Sequence, residues 1–475
     1  MGSSHRRTAS RRAKVIGALV AAAVIGGAAV ALTGTAQAAS AGAAYSKTSD
    51  WSGGYTGQYV ITNDTGRELS GWTLRFELPA GTKVTSLWNG RHTVDGRTVT
   101  VKPESWNAAI APGASVTVGF VAAAGSGGKA ADPVGCRIND AKCSVDQDPA
   151  PRPTASTPQP SSPAPRPTSS SPAPDGKGGT GFAPYIDTSL HPAFDMVGTA
   201  EKTGVKTYNL AFVTSGGGCV PKWGGVTDLG DDAVARQIGA LRAAGGDVRV
   251  SFGGAAGSEL GLACSSVEEL AAAYGKVVDA YKLTKADFDI EGAALPDKAA
   301  NTRRAQAIAR LQKKHPGLDV SFTLPVMPTG LTQDGVDLVE NAKKNGVAIS
   351  AVNIMAMDYG ASFDGDMGQY AIDAATATQA QIRGVLGLSD DAAWRAVAVT
   401  PMIGVNDVAT EVFKVDDATQ LAGFARSKGL GWLSMWSATR DKACPGGPQN
   451  SASPTCSSIE QEELAFTKAF AAAKR

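Results

Sequence analysis

A proline-rich segment divides the chain and argues against one continuous fold. Ten prolines lie between Pro149 and Pro174, interspersed mainly with Ser, Thr, Ala and Arg, and a glycine-rich stretch follows them. A segment of this composition cannot bury a hydrophobic core and behaves as an extended, semi-rigid spacer. In a chain of 475 residues it predicts separate domains joined by a linker at residues 145–180.

The first 38 residues have the pattern of a secretory signal peptide. Five basic residues accompany an apolar run from Val15 to Leu32, and Ala36-Gln37-Ala38 fits a small-residue cleavage site. A membrane anchor is the alternative, which the Gly and Ala content and the cleavage pattern disfavour. We expect a secreted, extracellular protein with no membrane attachment after residues 1–38 are removed. Paired arginines leave both the general and the twin-arginine export routes open.

The charge balance argues against a nucleic-acid partner. Without the five basic residues of the signal peptide, 40 Lys and Arg face 44 Asp and Glu, which gives a net charge of about −4. A protein that binds nucleic acid usually carries a basic excess.

The six cysteines predict disulfides, because an exported protein folds in an oxidising environment. Their spacing favours Cys136 with Cys143 and Cys444 with Cys456, which leaves Cys219 for Cys264. A metal site is the alternative, but the chain has no C-x-x-C motif and its four histidines are scattered. We therefore expect no metal and no cofactor.

Residues 42–144 read as an all-β domain. The alternating segments are Tyr55–Thr62, Trp72–Leu78, Val84–Leu87, Arg97–Val101 and Ser115–Phe120, with turn residues between them. Short strands at this spacing predict a β-sandwich.

Four tryptophans in this domain divide into two kinds. Trp72 alternates with Leu74 and Phe76, which predicts a core position. Trp51, Trp88 and Trp106 instead stand among Gly, Asn and Ser, which predicts exposed rings able to stack on pyranose units. The alternative is that all four belong to the core.

The tryptophan motifs resemble those of family-2 carbohydrate-binding modules. The matching segments are Asp50-Trp51-Ser52-Gly53-Gly54, Ser70-Gly71-Trp72-Thr73-Leu74, Leu87-Trp88-Asn89-Gly90 and Ser105-Trp106-Asn107-Ala108. The resemblance implies that Trp51, Trp88 and Trp106 bind chitin or a related insoluble polysaccharide, with chitin or cellulose left open. The family's usual cysteine near its first strand is absent, so Cys136 and Cys143 would close only the C-terminal extension.

Residues 181–475 alternate strand-like and helix-like segments. The strand-like runs are Phe182–Asp187, Thr207–Thr214, Asp247–Phe252, Ala286–Ile290, Leu318–Leu324, Ala351–Met357, Ala396–Pro401 and Gly431–Trp436. Eight such units predict an α/β TIM (β/α)8 barrel. A doubly wound open sheet is the alternative, but the glycine-rich dinucleotide turn typical of that fold is missing.

The fourth run carries three carboxylates at alternate positions. Asp287, Asp289 and Glu291 point to one face of a strand at about 7 Å spacing, and Phe288 and Ile290 point to the other. Like charges this close raise the pKa of at least one group, which favours a general acid. The alternative, a solvated edge strand, fits poorly with the surrounding βα units.

Motifs at other strand ends complete a family resemblance. Ser251-Phe252-Gly253-Gly254 ends the third strand, Met355-Ala356-Met357-Asp358-Tyr359 the sixth and Met435-Trp436 the eighth. With the acidic motif they resemble glycoside hydrolase family 18 across residues 181–475, and the acidic motif is similar to that of hevamine-type chitinases.

The resemblance implies a role for each acidic residue. In this family the substrate's own acetamido oxygen attacks the anomeric carbon, an exception to the usual two-carboxylate mechanism. Glu291 would act as general acid and then as base. Asp289 would hold the acetamido N–H and stabilise the oxazolinium charge, and Asp287 would share a proton with Asp289. Trp436 would form the floor under the sugar, with ordinary barrel packing as the alternative.

The remaining site residues come from the other strand ends. Met355, Ser251, Gly253 and Gly254 belong to the substrate-binding set, the glycines because they leave room at crowded strand ends. Two positions depart from the family. Thr284 stands where the family has an Asp, and we expect this change to adjust the activity without abolishing it. Met357 stands where the family has a Tyr on the sixth strand. We expect Tyr359, with Asp358 beside it, to reach the acetamido oxygen instead.

Little more than one helix fits between the seventh and eighth strands, so an open groove and mid-chain cleavage are expected. Together the patterns predict a secreted, monomeric endo-chitinase whose partner is insoluble polysaccharide. An endo-β-N-acetylglucosaminidase acting on N-glycans and a non-catalytic chitin-binding lectin are the alternatives; the binding module disfavours the first, and Glu291 disfavours the second.

Overall fold

The computed structural model describes residues 41–51, 53–104, 107–124, 129–143 and 181–472. The predicted signal peptide, the linker and Trp106 lie outside these ranges. Among the described helices, none combines the length and apolar character needed to cross a bilayer.

The amino-terminal domain is the β-sandwich predicted from its alternating segments. Its strands are β1 (Ala41–Trp51), β2 (Gly54–Asn63), β3 (Leu74–Glu77), β4 (Thr82–Trp88), β5 (Arg91–Asp95), β6 (Thr98–Lys102), β7 (Ser115–Ala124), β8 (Val134–Ile138) and β9 (Ala141–Lys142). One sheet has the order β1-β2-β7-β4 and the other β5-β6-β3-β8-β9, with antiparallel pairing throughout. We call this unit the sandwich domain.

An aromatic cluster holds the two sheets together. Phe76 of one sheet stacks on Phe120 of the other, with ring centroids 5.1 Å apart, and lies 5.0 Å from Tyr59. Trp72 is 2% exposed and donates its Nε1–H to the carbonyl of Asn107 at 2.9 Å. The predicted core position of Trp72 is confirmed.

The strands of the carboxy-terminal domain follow the predicted runs closely. They are β10 (Gly181–Phe182), β11 (Tyr185–Asp187), β12 (Thr207–Ser215), β13 (Pro221–Trp223), β14 (Asp247–Gly253), β15 (Lys285–Asp289), β16 (Asp319–Met327), β17 (Gly330–Leu331), β18 (Ala351–Ala356), β19 (Val397–Pro401), β20 (Gly404–Val405), β21 (Val412–Phe413) and β22 (Trp432–Leu433).

Helices connect these strands. They are α1 (Met196–Thr203), α2 (Ile238–Ala243), α3 (Leu260–Ala263), α4 (Val267–Tyr281), α5 (Lys298–Lys314), α6 (Gln333–Lys344), α7 (Met367–Leu386), α8 (Asp390–Arg395), α9 (Val415–Lys428) and α10 (Ala465–Ala471). Short polar side chains cap most of them and accept a backbone N–H of the first turn, as Asp297, Thr332 and Asp366 do for α5, α6 and α7.

The sheet closes into the predicted parallel barrel. Its order is β10-β22-β19-β18-β16-β15-β14-β12-β11, and neighbours on this path pair in parallel. The first strand is split, so that β10 pairs with β22 and β11 pairs with β12. This split strand forms the seam of the barrel, where Gly181 pairs with Trp432 and Phe182 with Leu433.

Three disulfides join the predicted cysteine pairs. Cys219–Cys264 and Cys444–Cys456 lie in the barrel domain, and Cys136–Cys143 closes the β8–β9 hairpin. The hairpin is more than an extension, because β8 pairs with β3 and completes a sandwich sheet. The expectation that this disulfide lies only in an appendage is therefore wrong.

Candidate active site

Asp287 is the innermost carboxylate of β15 and is fully enclosed by hydroxyl groups. Its side chain is completely buried. Tyr185 and Ser251 donate to Oδ2 at 2.9 and 2.7 Å, Ser321 donates to Oδ1 at 2.6 Å, and Thr323 Oγ1 lies 2.8 Å from Oδ2. These hydroxyl groups hold the Asp287 side chain in one position beneath the cleft.

Asp289 lies on the same face of β15 but has a very different environment. It is 3% exposed, and its Oδ1 atom is buried without a hydrogen-bond partner. Burial, followed by the charges of Glu291 and Asp287, holds the pKa of Asp289 well above its usual range. The raised pKa favours the protonated form of Asp289, and its unpartnered Oδ1 atom is free to accept a hydrogen bond from a ligand.

Glu291 follows β15 and precedes a short 3₁₀ turn at Gly292–Ala294. Its side chain is partly buried at the cleft wall. Burial and, after it, the nearby charge of Asp358 raise the pKa of Glu291. A carboxyl group with a raised pKa and access to a cleft can serve as a general acid near neutral pH.

Asp289 and Glu291 line a cleft of about 370 Å³ at the carboxyl ends of the barrel strands, and Asp287 lies behind them. The lining residues are Tyr185, Phe212, Ala255, Asp289, Glu291, Thr323, Pro325, Val326, Met327, Thr332, Met355, Met357, Asp358, Thr400, Met402, Asp407 and Trp436. This position and size are typical of a substrate site in a TIM barrel. Within the described ranges, no group of three or more His, Cys, Asp or Glu is arranged to hold a metal ion.

Aromatic rings form one side of the cleft. Trp436 stacks on Phe212 with ring centroids 5.6 Å apart and lies 6.0 Å from the ring of Tyr185. Because Trp436 also lines the cleft, one side of its ring packs on the barrel while part of it remains accessible to a ligand.

Two glycines allow β14 to approach the catalytic strand. Gly253 has φ +106°, and a Cβ there would lie 2.0 Å from the Asp289 carbonyl oxygen. Gly254 has φ +86°, and a Cβ there would lie 2.7 Å from the Phe212 ring. Neither glycine lines the cleft, so their effect on the substrate is indirect.

Ser251 also acts behind the cleft. It is completely buried, pairs in register with Asp287 and donates its hydroxyl hydrogen to that carboxylate. Its placement in the substrate-binding set is wrong, because its hydroxyl lies beneath the acids and does not reach the cleft. Met355, in contrast, does line the cleft.

Tyr359 does not occupy the position expected from the sequence. It is 6% exposed, packs against Phe363 and Tyr370 at centroid distances of 5.7 and 6.2 Å, and is absent from the cleft lining. The strand ends at Ala356, and Asp358 has φ +52°, so alternation of faces stops before Tyr359. The expected contact of Tyr359 with an acetamido oxygen is therefore wrong, whereas Asp358 lines the cleft.

The loop after β19 contributes an acid that the sequence analysis did not select. Asp407 lines the cleft and adds to the raised pKa of Asp358, which burial causes in the first place. Its place after the carboxyl end of a barrel strand was the available signal. The guanidinium of Arg440 donates to the carbonyls of Ile403 and Val405 at 2.8 and 2.7 Å, which fixes this loop.

The same loop holds the end of the sixth strand. Val408 donates its backbone N–H to Asp358 Oδ1 at 2.9 Å, and Gly360 donates its backbone N–H to Glu411 Oε1 at 2.7 Å. Glu411 is completely buried. These two bonds keep Asp358 in its left-handed conformation beside Glu291.

Thr284, which replaces the family's first Asp, lies at the other end of β15. Its hydroxyl donates to Asp247 Oδ2 at 3.1 Å, at the start of β14. The substitution is therefore distant from the acids.

Trp51 and Trp88 lie on the outer face of the sandwich sheet but are not exposed. They are 7% and 5% accessible and pack in the apolar cluster of the barrel domain, not in the sandwich core. The sheet β1-β2-β7-β4 lies against α6 and α7. Their predicted exposure is wrong because neighbouring turn residues reveal nothing about a contact with a domain almost 300 residues away.

Comparisons with known proteins match both domains. Residues 41–143 match the family model CBM_2, described as a cellulose binding domain. The chain is 37% identical over 308 residues to a probable bifunctional chitinase/lysozyme of Escherichia coli, covering 61% of this chain and 34% of that protein. It is 37% identical over 276 residues to endochitinase 11 of Metarhizium anisopliae, covering 55% and 52%.

The barrel also matches a solved structure. The catalytic domain of a hyperthermophilic chitinase from Pyrococcus furiosus superposes with a TM-score of 0.57 at 35% identity, covering 62% of this chain and 94% of that domain. The chain spans about a third of the length of the Escherichia coli protein and about half of the length of the Metarhizium anisopliae protein.

Proposed function

We propose that this chain, which belongs to the family 18 chitinases and carries a CBM_2 domain, hydrolyses β-1,4-linked N-acetylglucosamine polymers by substrate-assisted catalysis. The observation that carries the proposal is the arrangement of two acids in one cleft. Asp289 presents a buried, unpartnered oxygen, and Glu291 beside it has a raised pKa.

The first step breaks the glycosidic bond. Glu291 gives its proton to the glycosidic oxygen, while the acetamido oxygen of the same sugar forms a bond to the anomeric carbon. Asp289 Oδ1 accepts the acetamido N–H, which orients that group for attack. The positive charge that develops on the cyclised sugar is stabilised by the electronegative Oδ1 atom of Asp289, a residue that lines the cleft.

The second step restores the enzyme. Glu291, now a carboxylate, takes a proton from water as that water attacks the anomeric carbon and the bond to the acetamido oxygen breaks. The raised pKa of Glu291 suits this reversal, because the group must be protonated before one step and ionised before the other.

An open cleft supports cleavage within the polymer. Between β19 and β22, all of it described, the chain forms only the β20–β21 hairpin and α9. No additional domain closes the cleft there, so a long chain can lie across it. We infer a secreted, monomeric enzyme whose sandwich domain attaches it to insoluble polysaccharide.

The test measures products from three substrates. The full chain should cleave colloidal chitin and soluble chito-oligosaccharides and leave a high-mannose glycoprotein intact, and the Glu291→Gln variant should cleave none of them. Release of the glycan from the glycoprotein would favour the endo-β-N-acetylglucosaminidase function. Binding without cleavage by the unmodified chain would favour the lectin.

A further inference from the structure

The ring surfaces of Trp51 and Trp88 are covered by the barrel of the same chain. Trp51 lies against α7, where a Cβ built on Gly384 would be 3.0 Å from its Nε1 atom and 3.1 Å from Cζ2. Trp88 lies flat on Gly119 of its own sheet and joins the apolar cluster of the barrel on its other side.

Polar contacts surround the two indole rings. Gln333 and the Asp50 backbone exchange two hydrogen bonds, with Asp50 N–H donating at 2.6 Å and Gln333 Nε2 donating to Asp50 O at 2.7 Å. Gln381 donates to Ser49 Oγ at 2.9 Å, and Arg383 donates to the Thr85 carbonyl at 2.8 Å. We call the sandwich residues Ser49, Asp50, Trp51, Thr85 and Trp88 the docking face.

One feature of this contact destabilises the docked state. Trp88 Nε1 is buried without a hydrogen-bond partner. A buried donor that lacks an acceptor destabilises the state that buries it, and undocking would return this N–H to water. No described salt bridge crosses the contact to offset that cost.

We propose that the docking face binds either the chain's own barrel or the flat surface of an insoluble polysaccharide, but not both at once. The inference rests on the proposed polysaccharide binding by Trp51 and Trp88. While the docking face is bound to α7, it cannot bind the polysaccharide. The apparent affinity of the chain for the polysaccharide is therefore its intrinsic affinity multiplied by the fraction of molecules that are undocked. A polysaccharide surface that takes the place of α7 on the docking face thereby separates the sandwich domain from the barrel.

Docking is separate from the cleft. The barrel residues of the contact, Gln333, Gln381, Arg383 and Gly384, are absent from the cleft lining. Hydrolysis of soluble oligosaccharides should therefore be the same in docked and undocked molecules.

A cross-link tests the locked state. Thr85→Cys with Arg383→Cys places two thiols across the edge of the contact, and the six native cysteines are all in disulfides. A short bis-maleimide should join the pair in the full chain. Binding to insoluble chitin and cellulose is measured in the Glu291→Gln background, with the cleft saturated by a soluble chito-oligosaccharide. Single-cysteine variants treated with the reagent are the controls.

A release variant tests the opposite state without changing the docking face. Gln333→Ala with Gly384→Arg removes two hydrogen bonds and places a long side chain against Trp51. Gly423→Arg on α9 is the matched control, because a Cβ there meets nothing within 4 Å. We expect the cross-linked protein to lose binding and the release variant to bind about tenfold more tightly than the control.

Two results would overturn the inference while leaving polysaccharide binding in place. One is a cross-linked protein that binds as tightly as the untreated one. The other is a release variant whose binding equals that of Gly423→Arg. Absence of binding by the unmodified chain and the release variant alike would overturn the proposed polysaccharide binding, and the inference with it. Rates on soluble oligosaccharides, measured with Glu291 intact, should not change in any variant.

Discussion

Asp287 and Asp289 lie two residues apart on one face of β15, yet hydroxyl groups surround the first, whereas Oδ1 of the second has no partner. The pKa of Asp289 is raised, first by burial and then by the charges of Glu291 and Asp287. The difference in partners also leaves an unpartnered acceptor, Asp289 Oδ1, on a residue that lines the cleft.

Glu291→Gln should abolish hydrolysis of soluble chito-oligosaccharides while the protein stays folded and still binds them. Glutamine has nearly the same shape but cannot donate the proton, and general acid–base catalysis contributes roughly 10²–10⁴-fold. Turnover and oligosaccharide affinity would be measured together. Glu201→Gln, an exposed change on α1, is the matched control. Near-normal turnover in Glu291→Gln would exclude this residue as the acid.

The anomeric configuration should be retained. Attack by the acetamido oxygen and then by water inverts the anomeric carbon twice, so the first product observed by NMR should be the β-anomer. An α-anomer at early times would show direct displacement by water instead.

Asp358→Asn should move the alkaline limb of the kcat profile to lower pH. The negative charge of Asp358 contributes to the raised pKa of Glu291, after burial. A neutral amide removes that contribution, so Glu291 loses its proton at lower pH and the acid form disappears earlier. Asparagine keeps an oxygen for the Val408 N–H, so the loop should remain in place. An unchanged limb would argue against electrostatic coupling.

Glu411→Ala should lower kcat more than it changes KM, and Glu411→Gln should restore much of the loss. The alanine variant leaves the Gly360 N–H without its acceptor, at a cost of about 1–3 kcal/mol, and frees the segment that positions Asp358. Glutamine retains a carbonyl oxygen at the same place. A shift in the pH profile of the alanine variant separates positioning from simple loss of stability. If the unmodified protein, Glu411→Ala and Glu411→Gln had the same pH profile, Glu411 would not position Asp358.

Trp72→Ala should destabilise the sandwich domain by about 3–5 kcal/mol, because it leaves a cavity in the core and removes the bond to Asn107. Thermal unfolding of the full chain should show an earlier transition for this domain. Activity on soluble oligosaccharides should persist at temperatures below that transition. If activity were lost over the same temperature range as the unfolding of the sandwich domain, the two domains would unfold as one unit.

The fold could be predicted because its signals are local and periodic. Strand alternation placed Asp287, Asp289 and Glu291 on one face, and cysteine spacing gave the three disulfides. The same reasoning failed at Tyr359, since extrapolation of alternation requires a strand that continues, and β18 ends at Ala356.

Contacts between distant segments left no periodic signal. Arg440 and Glu411 act on the cleft through backbone atoms of another loop, which composition and spacing do not encode. Trp51 likewise reads as a surface residue from its neighbours, although Gly384 on α7 lies against its ring.

Because its first strand is split, we expect the barrel to resist a pulling force least at the seam between β10 and β22. Gly181, the first described residue after the predicted linker, begins β10, whose register with β22 covers only two residue pairs. Beyond them, Ala183 and Tyr185 donate their N–H groups to the carbonyls of Leu433 and Met435. In a molecule tethered to a solid by its sandwich domain, tension along the linker would shear this seam first. We expect the stacking of Phe182 on Phe470 of α10, with ring centroids 5.3 Å apart, to resist that shear.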